Sequence, residues 1–200
     1  MNKNQDNMKK VKIIGMVGPK GVGKTTFANQ LANHTGCQAA VLSFADPLRV
    51  MAMAMGIESK QLVLPELKHE VIPELGVTPR HVLQSLGTEW GRKCIHPDVW
   101  VWAMQRQIER HVAEYHGSGD VLIFIDDCRF ANEAQWILNH GGMLIEVERD
   151  GVEYTGEHSS EMPMPEEIQD EMFAVDVSAG DKHLAGMAMH VINYNLKVQC

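Results

Sequence analysis

The residues with the clearest chemistry lie near the amino terminus, in the segment GPKGVGKT. Its glycines and its Lys-Thr pair have the spacing GxxxxGK[ST]. Glycine lets the backbone turn tightly enough for successive N–H groups to face one anion, and a following helix directs its positive end at the same anion. The lysine can then reach the outer phosphates of ATP, and the threonine hydroxyl can bind Mg²⁺. The spacing therefore predicts a phosphate-binding loop (P-loop), and the predicted ATP-binding residues are Gly18, Lys20, Gly21, Val22, Gly23, Lys24, Thr25 and Thr26.

Two adjacent carboxylates follow the apolar run VLIFI, residues 121–125. A carboxylate at the end of a buried strand beside a P-loop can hold Mg²⁺ through water. Side chains alternate along a strand, so one of the two points inward and the other points away. By position, both Asp126 and Asp127 are candidates for a metal role shared with Thr25.

Five arginines lie outside the predicted strand interiors, and about three of them are expected to contact phosphate: Arg49, Arg80, Arg92, Arg129 and Arg149. Guanidinium groups suit the charge that builds up during phosphoryl transfer. Trp90 could stack on a base while Arg92 holds a phosphate. The alternative is a core tryptophan that completes the stripe of Leu83 and Leu86, and spacing alone favours this core position. The methionines at 51, 53 and 55 are expected to fill the core.

Strands alternating with helices predict the elements that position these residues. The expected strands are residues 11–17, 41–44, 121–125, 143–148 and 173–177. This alternation favours an α/β fold with a parallel sheet covered by helices on both faces. A helical insert at 45–116 and a polar loop at 150–166 interrupt it and could enclose a substrate. The whole chain, 1–200, is predicted to form a single domain.

Composition narrows the classes of function. The chain has 200 residues, 44% of them hydrophobic, and a formal net charge of −8. A nucleic-acid polymer is a disfavoured partner because such binders usually carry a basic face. No signal peptide and no run long enough to span a membrane is visible, so no membrane partner is expected. The four cysteines have no CxxC spacing, which predicts reduced thiols and a cytoplasmic location.

Several segments together resemble the deoxynucleoside monophosphate kinases of tailed phages. Besides the P-loop they are SFADPLR (43–49), TPRHVLQSLGTEWGR (78–92), HPDVW (96–100), IDDCRFANEA (125–134) and HSSE (158–161). The resemblance covers most of the chain, and the QSLGTEWGR and DxRFxNE segments are more specific than the P-loop.

This resemblance implies a five-stranded parallel P-loop kinase core with a helical NMP-binding insert at 45–116 and a short lid at 150–166. It implies the reaction ATP + dNMP → ADP + dNDP with Mg²⁺; it is compatible with a homodimer and leaves the oligomeric state open. Asp127 matches the Asp of DxRF and is preferred for the metal, Arg129 matches its Arg, and Glu133 matches its Glu as an orienting partner. The implied catalytic residues are Lys24, Arg129, Arg149 and Asp127, and the implied substrate residues are Asp46, Arg49, Arg80, Trp90, Arg92, Asp98 and Glu133. A phage origin would place the protein in the host cytoplasm.

One departure from the resemblance concerns the lid. Lids of nucleotide kinases are usually rich in arginine, but residues 150–166 contain none, and only Arg149 borders them. Either Arg149 and Arg129 stabilise the transferring charge, or Lys20 shares that task.

Three alternatives stay open. Another small-molecule P-loop kinase, acting on a sugar, a shikimate-like acid or a coenzyme precursor, predicts the same loop but not the GTEWGR and DxRFxNE segments together. A nucleotide-dependent switch or binding module would need a guanine-selecting NKxD segment or a partner surface, and no NKxD occurs. A polynucleotide end kinase is disfavoured by the acidic net charge.

Overall fold

The computed structural model describes residues 10–154, 156 and 158–196. The chain divides into two compact units. The helical unit is Phe44–Arg106, and the sheet unit combines the described residues before 44 with those after 106. The segment predicted as the helical insert, 45–116, overlaps the helical unit and the start of the sheet unit's second part.

A five-stranded parallel sheet forms the sheet unit, in the order β2-β3-β1-β4-β5. The strands are β1 Val11–Val17, β2 Gln38–Leu42, β3 Val121–Ile125, β4 Met143–Glu148 and β5 Met172–Asp176. The centre of the sheet is β1, where Ile14 is aligned with Phe124 of β3 and with Met143 of β4. The predicted parallel α/β fold is thus confirmed, and the P-loop leaves the central strand.

Helices of the sheet unit cover the sheet and bury its apolar side chains. They are α1 Lys24–His34, α6 Ala131–Asn139, α7 Glu166–Gln169 and α8 Asp181–His190, followed by a π-helix at Val191–Leu196. Phe27 and Leu31 of α1 and Leu184 of α8 join Phe124 of β3 in one buried cluster. Burial of such side chains contributes about 1.5–3 kcal/mol each, so this cluster stabilises the helix that carries Lys24.

The helical unit has a smaller core. Its elements are α2 Asp46–Ala54, α3 Ser59–Val63, α4 Pro79–Gln84, the π-helix Ser85–Ile95 and the first half of α5, Val99–Glu114. Ala52, Ile57, Leu62 and Val82 form its buried cluster. At the start of α4, the Thr78 hydroxyl accepts a hydrogen bond from the His81 backbone N–H at 3.1 Å, which is the capping that Thr-Pro predicts.

The structure corrects three expectations. The second strand is residues 38–42 rather than 41–44, because Ser43 and Phe44 have already left the sheet. Met53 and Met55 are 41% and 59% exposed, so the prediction that the methionine-rich face fills the core is wrong for these two. Cys94 and Cys128 are free, but Cys37 is disulfide-bonded, so the prediction that all four cysteines are reduced thiols is also wrong. Within the described residues, no helix combines the length and the hydropathy needed to cross a membrane.

Candidate active site

The P-loop wraps between β1 and α1 with a backbone that requires glycine. Gly18 has φ +136°, and a Cβ there would lie 2.5 Å from the backbone oxygen of Val147. Gly23 caps α1 with φ +113°. Both positions combine a left-handed backbone with a close neighbour, so a side chain at Gly18 or Gly23 would disturb the loop. Val22 is fully buried, and it therefore contributes its backbone rather than its side chain to the loop surface.

Lys24 is folded onto the loop that precedes it. Its Nζ donates hydrogen bonds to the carbonyl oxygens of Gly18 and Pro19, both at 2.7 Å, and the residue is only 6% exposed. Desolvation by burial, followed by the positive charge of Arg129, lowers the pKa of Lys24 to about 7. The nearby carboxylates of Asp127 and Asp126 raise it, so four charged side chains share this region. The Lys24 amine therefore lies inside the loop, where an anionic phosphate would favour its charged form.

Asp126 connects the P-loop helix to the end of β2. Its Oδ2 accepts a hydrogen bond from the Thr25 hydroxyl at 2.6 Å, and its Oδ1 accepts one from the Ser43 hydroxyl at 2.5 Å. Asp126 is 7% exposed, and its backbone N–H donates to Leu42 O at 3.1 Å. Both oxygens of this buried carboxylate therefore have a hydroxyl donor. Asp126 is thus the carboxylate that is hydrogen-bonded to Thr25. Asp127 is half-buried, and its negative charge raises the pKa of Lys24.

Glu133 holds the backbone at Arg129 through hydrogen bonds. The Glu133 carboxylate is 1% exposed and accepts hydrogen bonds from the backbone N–H groups of Arg129 at 2.8 Å and Phe130 at 3.0 Å. This is a capping arrangement at the start of α6. The Arg129 Nη1 donates to the Ser160 carbonyl at 3.3 Å, in the loop predicted as the lid. Glu133 is therefore an orienting residue whose carboxylate is occupied by the backbone beside Arg129.

Arg149 directly follows β4, and its side chain contacts the P-loop at Gly23. Its Nη2 would lie 3.1 Å from a Cβ at Gly23, so the guanidinium packs against the bare backbone at the start of α1. Arg129 and Arg149 both lie close to the loop that holds Lys24. Lys20 and Thr26 are exposed, on the loop and on the first turn of α1 respectively.

A cavity of about 400 Å³ adjoins the P-loop and was not predicted. Its lining includes Pro19, Glu146, Arg149 and Tyr154. The Tyr154 hydroxyl is buried without a hydrogen-bond partner among the described residues, and desolvation raises its pKa to about 12. Desolvation and the neighbouring Glu148 raise the pKa of Glu146. Sequence patterns did not single out Tyr154 or Ser43; Ser43 lies in the SFADPLR segment, whose position after a strand was the available signal.

The remaining predicted residues belong to the helical unit. Asp46 and Arg49 form an ion pair at 2.6 Å. Trp90 is 44% exposed, so it is not the core side chain that its spacing favoured. Arg92 Nη1 donates to the Gly87 carbonyl at 3.0 Å. The predicted substrate residues Arg80 and Asp98 lie in the same unit, at the start of α4 and just before α5.

These features define a P-loop nucleotide-binding protein: a parallel sheet, a glycine-rich loop after its central strand, and Lys24 at the start of the following helix. Residues 14–135, more than half of the chain, match the family model described as ATPase family associated with various cellular activities (AAA), and the chain belongs to this family.

Two relatives agree in name with the resemblance described above. A protein of Acanthamoeba polyphaga mimivirus, provisionally named deoxynucleotide monophosphate kinase, is 29% identical over 167 residues, which cover 76% of this chain and 81% of the mimivirus protein. The deoxynucleoside-5'-monophosphate kinase of Escherichia phage T5 is 29% identical over 112 residues, 52% of this chain and 42% of the T5 protein.

Two solved structures are similar over most of their length but only loosely. A provisionally assigned kinase from Chloroflexus aurantiacus has a TM-score of 0.48 at 15% identity, covering 93% of this chain and 99% of its own. Shikimate kinase from Acinetobacter baumannii has a TM-score of 0.42 at 12% identity, covering 94% of each chain.

Proposed function

We propose that the protein is a deoxynucleoside monophosphate kinase, which transfers the γ-phosphoryl group of ATP to a dNMP and releases ADP and a dNDP. The observation that carries the transfer chemistry is the arrangement of Lys24, Thr25 and Asp126 at the carboxyl edge of the sheet. The acceptor class is supported by the names of the mimivirus and T5 relatives.

Lys24 is the residue proposed to hold the outer phosphates of ATP. In the structure its ammonium group donates to two loop carbonyls, Gly18 and Pro19. Triphosphate oxygens are stronger acceptors because they carry charge. ATP binding therefore exchanges two neutral acceptors for anionic ones, and the P-loop N–H groups and the α1 N-terminus stabilise the same charge.

The oxygens near Thr25 fit a magnesium ion. Mg²⁺ prefers oxygen ligands and is commonly held by one or two carboxylates together with substrate phosphates and water. Thr25 and one carboxylate of the Asp126–Asp127 pair would hold it; the hydrogen bond from Thr25 favours Asp126, whereas the DxRF resemblance favours Asp127. When bound, the ion would neutralise charge on the phosphates. Ser43 keeps the Asp126 carboxylate in one orientation.

Arg129 and Arg149 are proposed to stabilise the charge on the transferring group. Both lie near the P-loop. The 150–166 loop contains no arginine that could supply this charge instead. Guanidinium groups that are already positioned cost little reorganisation during transfer. Glu133 contributes by fixing the backbone from which Arg129 extends.

The acceptor nucleotide is proposed to contact the predicted residues of the helical unit. In this proposal the phosphate is bound by positive side chains, Arg49, Arg80 and Arg92, and the sugar hydroxyl donates to Asp46 or Asp98. The exposed Trp90 ring supplies a stacking surface for the base.

A coupled ADP-release assay tests the proposal. It uses ATP and Mg²⁺ with each of dAMP, dCMP, dGMP and dTMP, the matching ribonucleotides, shikimate and gluconate. Lys24→Ala is the blank, and Lys60→Ala, which removes an exposed lysine, is the matched control. We expect turnover with at least one dNMP in the wild type and the control, and none in the blank. Turnover with shikimate or gluconate alone, or with no acceptor, would refute the proposed acceptor.

A further inference from the structure

The segment Ser85–Ile95 is a π-helix. At its end the backbone N–H of His96 donates to the carbonyl of Gly91, five residues earlier, at 3.1 Å. π-helical turns are rare, require support from their surroundings, and occur frequently at functional sites. This one carries Trp90 and Arg92, two residues of the proposed acceptor site. What supports its register is therefore relevant to how the acceptor is bound.

Trp100 supplies that support through a hydrogen bond. It lies on α5 and is 4% exposed. Its indole Nε1–H donates to the Gly87 carbonyl at 2.7 Å, and the Arg92 Nη1 donates to the same oxygen at 3.0 Å. A buried indole N–H needs an acceptor, so this bond fixes both the ring and the carbonyl. One oxygen thus links Trp100 to the guanidinium of Arg92.

The Trp100 ring also packs against the turn between Gly87 and Arg92. A Cβ at Gly91 would lie 2.3 Å from Cζ2 and 2.8 Å from Nε1 of Trp100, so only glycine leaves room for the ring. The ring centroids of Trp90 and Trp100 are 6.4 Å apart, within the range of an interacting aromatic pair. The backbone on either side of Trp90 is therefore held by one side chain through contact and through hydrogen bonding.

We propose that Trp100 is a positioning residue for acceptor binding: its indole holds the Gly87–Arg92 turn in the π-helical register that presents Trp90 and Arg92. This inference rests on the proposed deoxynucleoside monophosphate kinase function. Trp100 acts through Gly87 and Gly91 rather than on the nucleotide. Without the indole N–H, the α-helical register, with bonds four residues apart, competes, and it rotates Trp90 and Arg92 relative to each other.

Trp100→Phe tests the hydrogen bond while keeping an aromatic ring. We expect the KM for the best dNMP to rise about tenfold, the effect of losing one buried hydrogen bond, while the KM for ATP and kcat change less than about twofold. Trp102→Phe is the matched control, because Trp102 lies on the same helix and is 63% exposed. It should leave all three constants unchanged. If Trp100→Phe raises both KM values equally, or changes neither, the inference is wrong.

A second measurement reports on the register without any acceptor. Amide hydrogen exchange over residues 85–95 should be faster in Trp100→Phe and in Gly91→Ala than in the wild type. The controls are Trp102→Phe and Gly186→Ala, since Gly186 is a helical glycine of α8 with open space around its Cβ position. Unchanged exchange over 85–95 in both Trp100→Phe and Gly91→Ala overturns the inference.

The two proposals fail in different ways. Wild-type protein that turns over no dNMP refutes the kinase proposal, and the positioning role for an acceptor is refuted with it. Wild-type turnover combined with an unchanged dNMP KM in Trp100→Phe refutes the positioning role alone.

Discussion

The sheet unit and the helical unit hold their candidate residues by different means. At the sheet edge, Lys24 and Asp126 are less than 10% exposed, and their polar atoms bond to backbone carbonyls and hydroxyls. In the helical unit, Trp90 is 44% exposed, and Asp46 and Arg49 pair with each other. The proposed phosphate-binding residues are thus held by the backbone and the core, whereas the proposed acceptor residues include exposed side chains. Substitutions should therefore affect the transfer step most in the first region and acceptor choice most in the second.

The largest expected effect compares the two adjacent carboxylates at the sheet edge. Asp126→Asn removes the charge that accepts from Thr25 and Ser43, and we expect kcat to fall by about 100-fold, a usual cost for losing one preorganised charge-stabilising contact. Asp127→Asn should cost about tenfold or less, because Asp127 is half-buried and is not the carboxylate that accepts the hydrogen bond from Thr25. Steady-state kinetics at saturating ATP and Mg²⁺ measure both. A larger loss in Asp127→Asn would instead support the metal assignment implied by the DxRF segment.

The next effect is a pH dependence that belongs to the sheet unit. Burial lowers the pKa of Lys24 to about 7, and a bound triphosphate favours the charged ammonium and raises that pKa again. Above pH 7, ATP binding should therefore take up a proton, and the Kd for ATP should rise by close to tenfold per pH unit. Calorimetry at pH 8 in two buffers of different ionisation enthalpy measures the uptake. Lys24→Met should abolish it, and an uptake that persists in this variant would contradict the assignment.

The same lowered pKa has a consequence for stability. Without ligand, the unfolded chain binds a proton at Lys24 between pH 7 and 10.5, where the folded chain does not. The contribution of Lys24 to the free energy of unfolding therefore increases as pH rises through this window. Denaturant unfolding of the wild type and Lys24→Met at pH 7 and pH 9 isolates that contribution by difference; a decrease with pH would contradict it.

A smaller effect concerns Glu133, which supports the sheet-edge site without facing solvent. Glu133→Gln weakens two charge-assisted hydrogen bonds to the Arg129 and Phe130 N–H groups, so we expect the free energy of unfolding to fall by about 1–3 kcal/mol and kcat to fall severalfold. Glu114→Gln, an exposed substitution on α5, is the matched control and should change neither quantity. A drop in stability with unchanged kcat would separate the cap from the placement of Arg129.

Local patterns predicted the sheet edge well because its chemistry follows short sequence spacings. The VLIFI run is β3 at the predicted residues, and the glycine spacing required the backbone that Gly18 and Gly23 adopt. The start of β2 was missed because Gln38, Ala39 and Ala40 form an edge strand that is only half-buried, without a strong apolar run. Strand position alone did not separate the two aspartates, and the DxRF resemblance preferred Asp127. The hydrogen bonds that distinguish Asp126 come from hydroxyls 83 and 101 residues away, which no local pattern shows.

The helical unit was harder to predict for a related reason. Helical spacing indicated a helix around Leu83 and Leu86, but it placed Trp90 in the core. The support that we propose for the π-helix carrying Trp90 comes from Trp100, thirteen positions from Gly87. No sequence pattern indicated Tyr154 either, because it is the fold that buries its hydroxyl and places it in the lining of the cavity beside the P-loop. Contacts between distant residues, rather than local propensity, decide both sites.

The smallest expected effect tests the surface character of the helical unit on α2. Met53 is 41% exposed although it was predicted to fill the core, whereas its neighbour Ala52 is fully buried. Met53→Lys should therefore change the free energy of unfolding by less than about 0.5 kcal/mol. Ala52→Val adds two methyl groups to a packed cluster and should cost about 1–3 kcal/mol. Urea unfolding of both variants gives the comparison. If Met53→Lys lowers the free energy of unfolding as much as Ala52→Val does, the Met53 side chain is buried in solution, and this face of α2 is not exposed.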